Sequence, residues 1–253
     1  MKILRFKTGN DIAYGLGEAA GVTVYQGSPF VAWEATETLL PWEAIQILSP
    51  VIPSKVVCVG RNYVDHAAEL GNDVPEEPVI FLKPATAVVG PDARVVYPPQ
   101  TSDLHHEAEL AVVIGRVARN IKAEDAGRYV FGYTAANDIT ARDLQAKDGQ
   151  WTRAKGFDTF CPLGPVIETE LDPLERLAII CRVNGEVRQA GFTADMVFGV
   201  AEILEFITSV MTLLPGDVVL TGTPSGVGPM LPGDLVEVEI DGIGTLSNRI
   251  ASR

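Results

Sequence analysis

Two glutamates one residue apart, Glu107 and Glu109, open the run HHEAELAVVIG that spans residues 105–115 and is otherwise the sequence of a buried strand. Alternate residues of a strand share a face, so the two carboxylates lie side by side, roughly 6.6 Å apart along the backbone. Adjacent anions leading into a core repel each other, and burying even one without a partner costs several kcal/mol. A divalent cation held by oxygen ligands resolves the conflict. An exposed strand mouth, where water solvates both groups, is equally consistent with the spacing. A third carboxylate, Asp138, stands in the run AANDITARDLQ (135–145), where a strand gives way to a turn or helix. It can cap that helix, or it can complete an all-oxygen site. Three carboxylates with no cysteine suit a hard ion, Mg²⁺ first and Mn²⁺ second. His105 and His106 are neighbours and so face opposite ways on a strand; orientation of other groups or packing suits them better than ligation.

The formal charge of −13 on 253 residues argues against nucleic acid and against anionic membranes as partners, and an acidic protein that binds an acidic substrate needs a local cation. Three separated cysteines, Cys58, Cys161 and Cys181, show neither a disulfide framework nor zinc spacing, which fits a reducing cytoplasm. No apolar run reaches the eighteen or so residues of a membrane span.

With 24 glycines and 17 prolines, the chain favours short strands and turns over a helical bundle. Residues 1–52 divide into strand segments at 2–7, 12–16 and 22–25 and are expected to form a small β appendage, followed by one larger unit over 53–253. The GLGEAA run at 15–20 matches a dinucleotide fingerprint, but strand character returns at Val22, which leaves no helix to receive a pyrophosphate. Further strands are expected at 55–60, 79–82, 110–114, 129–135, 178–183, 218–221 and 235–240. Asn184-Gly185 predicts a tight hairpin, and 198–211 is the one long amphipathic helix. Residues 63–70 suit two helical turns before the breaker run at 71–75. Pro-Gly-Asp occurs before two strands, at 215–217 and 232–234, as turns.

Taken together, the runs VCVGRNYVDH (57–66), PVIFLKP (78–84), HHEAEL (105–110), NDITARDLQ (137–145), KGFD (155–158) and LTGTPSGVG (220–228) resemble the fumarylacetoacetate hydrolase family, in particular its small acylpyruvase and oxaloacetate decarboxylase members. The resemblance implies an α+β fold, a mixed β-roll or barrel with few helices, assembled as a homodimer. It also implies that Glu107, Glu109 and Asp138 are metal ligands and that His66 and Glu69 form an acid/base pair, one turn apart on a helix. Lys155 then supplies positive charge beside the substrate, Gln145 orients it, and Thr223 contacts its carboxylate. Residues 71–75 look like a hinge, similar to the family's mobile lid, with the lid itself expected over 63–75. Arg142 and Arg61 are candidate partners for substrate carboxylates. The implied activity is Mg²⁺-dependent cleavage of a C–C bond next to a 2-oxo acid, by acylpyruvate hydrolysis or oxaloacetate decarboxylation. Two alternatives stay open: an isomerase or decarboxylase of 2-hydroxyhepta-2,4-diene-1,7-dioate type, and a ligand-binding β-roll without catalysis.

Overall fold

The structure, a computed structural model, describes residues 1–69, 71, 73–172 and 175–252. Its framework is a 12-stranded mixed sheet. From one edge the strands run Ala32–Leu40, Gly21–Ser28, Asp11–Glu18 and Lys2–Thr8, then Cys161–Glu168, Val130–Asn137, Ala108–Ile114, Val218–Leu220, Val56–Gly60 and Val79–Lys83 at the other edge. Both edges are open, so the architecture is the expected α+β roll and not a closed barrel. The first fifty residues extend the same sheet, because Lys2 and Ile3 pair antiparallel with Glu168 and Ile167. Gly15 and Gly17 lie within the strand Asp11–Glu18, which removes the dinucleotide reading of that run.

The strand Ala108–Ile114 is buried along its whole length. Leu110, Val112 and Ile114 enter one apolar cluster, while Ala111 and Val113 enter a second on the opposite face. Period-two alternation thus places Glu109 on the face of Ala111 and Val113. A five-stranded sheet, ordered Glu186–Phe192, Ala178–Val183, Leu235–Ile240, Gly244–Ser252 and Arg94–Tyr97, packs against this framework. Its hairpin turns at Asn184 and Gly185, with φ of 52° and 82°, the backbone that a two-residue turn with both centres left-handed demands.

The long helix runs Val200–Val210 and buries Ile203, Leu204 and Ile207, with Val200, Ala201 and Met211 at the margin of the same stripe. Glu202 Oε2 accepts the N–H of Gly199 at its start. Both Pro-Gly-Asp runs are turns of one design: Asp217 accepts the N–H of Leu214, and Asp234 that of Leu231. Asp217 also holds Lys55 Nζ at 2.5 Å, fixing the strand that leads toward the site. No helix among the described residues is long and apolar enough to cross a membrane, and the three cysteines are free and buried.

Candidate active site

Glu107, Glu109 and Asp138 converge, each able to place a carboxylate oxygen within 4.8 Å of the others. Glu107 sits at the break between the short strand Leu104–His106 and Ala108–Ile114, and Asp138 follows the last residue of Val130–Asn137. These two strands are antiparallel neighbours, with Ala108 opposite Asn137 and Asp138 N–H donating to Glu107 O at 2.8 Å. The solvated strand mouth is therefore excluded: Glu107, Glu109 and Asp138 are 4%, 1% and 1% exposed. Asp138 caps no helix either, since Arg142–Asp148 begins after Ala141.

Cations crowd this cluster unevenly. Lys155, at the end of the short helix Thr152–Lys155, donates from Nζ to Glu107 Oε2 and to Asp138 Oδ2, each at 2.7 Å. Arg142 Nη2 donates to Glu107 Oε1 and Nη1 to Gln145 Oε1. Lys83, 1% exposed, donates to Asp138 Oδ1 at 2.5 Å and to Ile139 O at 3.1 Å. Among the described residues, Glu109 receives a single hydrogen bond, from the N–H of Gly222 at 2.7 Å. Burial raises the Glu107 carboxyl, but Lys155 and Arg142 outweigh it and hold the group below its ordinary range. Burial likewise raises Glu109, and the anionic Asp138 and Glu107 beside it push the same way, well above the carboxylate range. Lys155 stays above the ordinary lysine value because Asp138 and Glu107 overcome its desolvation. An all-oxygen donor set in which Glu109 has no ion pair among the described residues fits a hard divalent ion.

A cavity of about 380 Å³ opens over the cluster and is lined also by His66, Gln145 and Thr223. His66 lies on the helix Val64–Glu69, with Nδ1 3.4 Å from Glu69 Oε2. Burial lowers its pKa more than the carboxylates of Glu107 and Glu69 raise it. The imidazole is then neutral at pH 7, and a hydrogen on Nδ1 leaves Nε2 as the basic atom. Glu69 also accepts the N–H of Gly226. Of the segment expected to form a lid, Leu70 and Asn72 lie outside the described residues; Gly71 follows the helix with φ of 68°.

Thr223 reaches the cavity wall with its hydroxyl already engaged, donating to Ala108 O and accepting from Gln189 Nε2, each at 2.8 Å. Gln189 also accepts from Ala108 N–H and lies 2.9 Å from His106 Nδ1, so it is the buried bracket that fixes this corner. His105 turns the other way, to Asp103 at 2.9 Å. Another part of the wall is aromatic, with Phe81 and Trp151. Trp151 meets Phe81 edge-on at 5.2 Å and packs so closely on Gly60 that a Cβ there would lie 2.7 Å from its ring. Beside it, Arg61 has φ of 60°, a left-handed backbone that costs a non-glycine residue roughly 1–2 kcal/mol.

All ten residues singled out from the sequence as catalytic, substrate-binding or metal-ligating are brought to this region, with nine on the cavity wall, Arg61 among them, and Glu69 behind His66. Sequence reading missed Lys83 and Gln189. Lys83 ends an apolar strand just before Pro84, where a lysine reads as solvated. Gln189 carried no signal beyond its place in a strand after a hairpin.

The family model for the fumarylacetoacetate (FAA) hydrolase C-terminal domain matches residues 55–251. A second, Rv2993c-like, N-terminal, matches residues 1–50. Human mitochondrial oxaloacetate tautomerase FAHD2B is 48% identical over 225 residues, 84% of this chain and 71% of that protein. Among solved structures, 5-carboxymethyl-2-hydroxymuconate delta-isomerase from Mycobacterium smegmatis is 43% identical with a TM-score of 0.93, covering 100% of both chains. Fumarylpyruvate hydrolase from Pseudomonas aeruginosa, in complex with Mn²⁺ and pyruvate, is 38% identical with a TM-score of 0.76, covering 82% of this chain and 92% of that one.

Proposed function

The chain belongs to the fumarylacetoacetate hydrolase family, and from that premise we propose that it catalyses proton transfer at the carbon next to the keto group of a 2-oxo acid, an enol–keto tautomerisation or isomerisation of an oxaloacetate-type substrate. The observation that carries the reading is the convergence of three buried carboxylates, Lys155 and a neutral His66 on one cavity. Glu107, Glu109 and Asp138 would hold Mg²⁺ or Mn²⁺, which supplies Lewis-acid polarisation of the 2-oxo group. Lys155 offers an ammonium to the oxygen on which negative charge develops. His66 takes the proton from carbon through Nε2, and Glu69 orients the ring and stabilises the imidazolium. Arg142 and Gln145, already joined, present a guanidinium and an amide to the substrate carboxylate.

The tautomerase and isomerase relatives set this reading ahead of C–C cleavage, which leads from the motifs alone. Cleavage of an acylpyruvate, or loss of carbon dioxide from oxaloacetate, remains the second reading. It is supported by the similarity to fumarylpyruvate hydrolase and uses the same residues: hydrolysis needs His66 to activate water instead of taking a carbon-bound proton, whereas decarboxylation needs no attacking water.

The test follows deuterium exchange at C3 of oxaloacetate by NMR, and acylpyruvate hydrolysis in parallel, with Mn²⁺, with Mg²⁺ and after chelation. Exchange faster than the spontaneous rate, dependent on the ion and reduced about 100- to 10,000-fold in His66→Ala, is expected. Hydrolysis without accelerated exchange would overturn the order of the two readings. Neither activity on any 2-oxo acid would overturn both.

A further inference from the structure

Of the cations bonded to the carboxylate cluster among the described residues, Lys83 alone lies away from the cavity. Lys155 and Arg142 line that cavity, whereas the Lys83 side chain, at the end of the strand Val79–Lys83, is fully buried behind it. Its ammonium donates to Asp138 Oδ1 at 2.5 Å and to Ile139 O at 3.1 Å, and Asp138 is its one ion-pair partner among the described residues. Taking an ammonium fully out of water is costly, and an apolar side chain of similar volume often serves stability as well or better. That cost points to a use beyond packing.

The oxygens that the cations occupy indicate what the use is. Glu107 gives Oε1 to Arg142 and Oε2 to Lys155, while Asp138 gives Oδ2 to Lys155 and Oδ1 to Lys83. Arg142 and Lys155 face the cavity and can exchange these partners for a ligand that enters it. Lys83 cannot, because it bonds Asp138 from outside the cavity and is tied to the next backbone carbonyl as well. Asp138 Oδ1 thus keeps its ammonium whatever the cavity holds, and a positive charge so close repels a second cation from the same oxygen. Oδ2 and the two glutamates carry no such permanent block.

On the reading that Glu107, Glu109 and Asp138 hold a divalent ion, we propose that Lys83 is a positioning residue that confines Asp138 to one coordinating oxygen. A carboxylate can bind an ion through one oxygen or both, and a hard ion of this kind accepts about six oxygens. With one oxygen from each carboxylate, about three positions stay open, enough for a ligand that chelates through a pair of oxygens. A second oxygen from Asp138 would take one of them. Lys83 acts through Asp138 and touches no substrate; what it protects is room on the ion.

Oxalate presents a chelating pair of oxygens and undergoes no turnover, so it separates binding from chemistry. Isothermal titration measures Mn²⁺ binding to the metal-free protein and then oxalate binding at saturating Mn²⁺, for wild type, Lys83→Met and Lys83→Gln. Methionine keeps the length and removes both donor and charge; glutamine keeps a donor without the charge. In Lys83→Met, Mn²⁺ should bind at least as tightly as in wild type, because a repelling charge is gone and Asp138 is free to give both oxygens. Oxalate should bind about 10- to 100-fold more weakly, the usual size of effect when a residue that orients a metal ligand is changed. Lys83→Gln should fall between the two proteins in both constants, and it carries the test should Lys83→Met fail to fold. The loss has to pass through Asp138: in an Asp138→Asn background, Lys83→Met should alter oxalate binding by less than about threefold.

Mn²⁺ and oxalate weakened together would mark Lys83 as a prop for the fold and overturn the assignment. A full further loss on top of Asp138→Asn would overturn it as well, since Lys83 would then act elsewhere. Mn²⁺ uptake with wild-type oxalate binding in both variants would overturn the role of Lys83 and leave the ion assignment standing. A wild-type protein that takes up no Mn²⁺ would overturn the ion assignment, and the role of Lys83 with it.

Discussion

Glu69 holds the backbone N–H of Gly226 between its two carboxylate oxygens, at 3.1 and 3.2 Å, and so joins the end of the His66 helix to the glycine-rich turn 157 residues away. The same carboxylate faces His66, so one side chain both orients the candidate base and fastens the segment that carries it. Glutamine and alanine separate these tasks. Glu69→Gln keeps an oxygen for Gly226 but loses the charge that stabilises an imidazolium; Glu69→Ala loses both. Amide exchange over residues 64–69 should accelerate about tenfold in the alanine variant and stay near wild type in the glutamine variant, while turnover falls in both. Equal exchange in the three proteins would show that the Gly226 contact does not restrain the helix.

Glu109 gives a test of the ion that does not depend on turnover. It is buried beside two other carboxylates with one backbone N–H as its partner. Glu109→Gln keeps that acceptor and removes the anion. Without metal, the variant should melt higher than wild type, because burial and the two neighbouring anions disfavour the charged form. With Mn²⁺ at 100 times its Kd, wild type should gain about 2.7 kcal/mol, and the variant markedly less. Calorimetric scans with and without the ion measure both; an equal gain would remove Glu109 from the ligand set.

The carboxylate cluster was legible because its signal is local. Glu107 and Glu109 interrupt an apolar run, and period-two alternation already puts them on one face. The 184–185 hairpin and the Val200–Val210 helix were legible for the same reason, each being written in consecutive residues. What pairs with what was not. The parallel pairing of Val56–Gly60 with Val218–Leu220, which brings the glycine-rich turn beside Arg61 and His66, is decided by packing between segments more than 150 residues apart. Lys83 was lost likewise: Asp138, 55 residues on, makes a buried ammonium tolerable, and nothing near Lys83 records it. The N-terminal strands read as an appendage because their link to the sheet, Lys2 and Ile3 opposite Glu168 and Ile167, joins residues far apart in the chain.

The pH dependence follows from His66. Its pKa is lowered from 6.5, by burial first, with Arg142 adding to the effect and the Glu107 and Glu69 carboxylates opposing it. A base acts in its neutral form, so the rate at saturating Mn²⁺ should be flat above about pH 6.5 and fall as pH drops through the lower folded value. Stability has the same sign. Between the folded value and 6.5 the unfolded chain binds a proton that the folded chain does not, so stability increases with pH across that window and then levels off. His66→Asn should remove this contribution. An acidic limb of kcat centred above pH 6.5 would contradict the assignment of His66 as the base.

Lys155 tests whether charge balance or packing holds the cluster together. Its ammonium is the only group that bridges Glu107 and Asp138 among the described residues, and it is 2% exposed. Lys155→Met keeps the length and much of the contact with the Phe81 ring, whose centroid lies 5.0 Å from Nζ, and removes the charge. Breaking a buried pair from one side leaves an uncompensated ion, which costs about 3–5 kcal/mol. The metal-free variant should therefore unfold at markedly lower denaturant concentration, with an unchanged m-value if the folded state keeps its compactness. A divalent ion can replace the missing positive charge, so Mn²⁺ should stabilise Lys155→Met by more than it stabilises wild type. Turnover should stay low even when the ion has restored the fold, because the ammonium is then absent from the developing negative charge. Stabilisation by Mn²⁺ no larger than that of wild type would show that Lys155 and the ion do not share the same carboxylates.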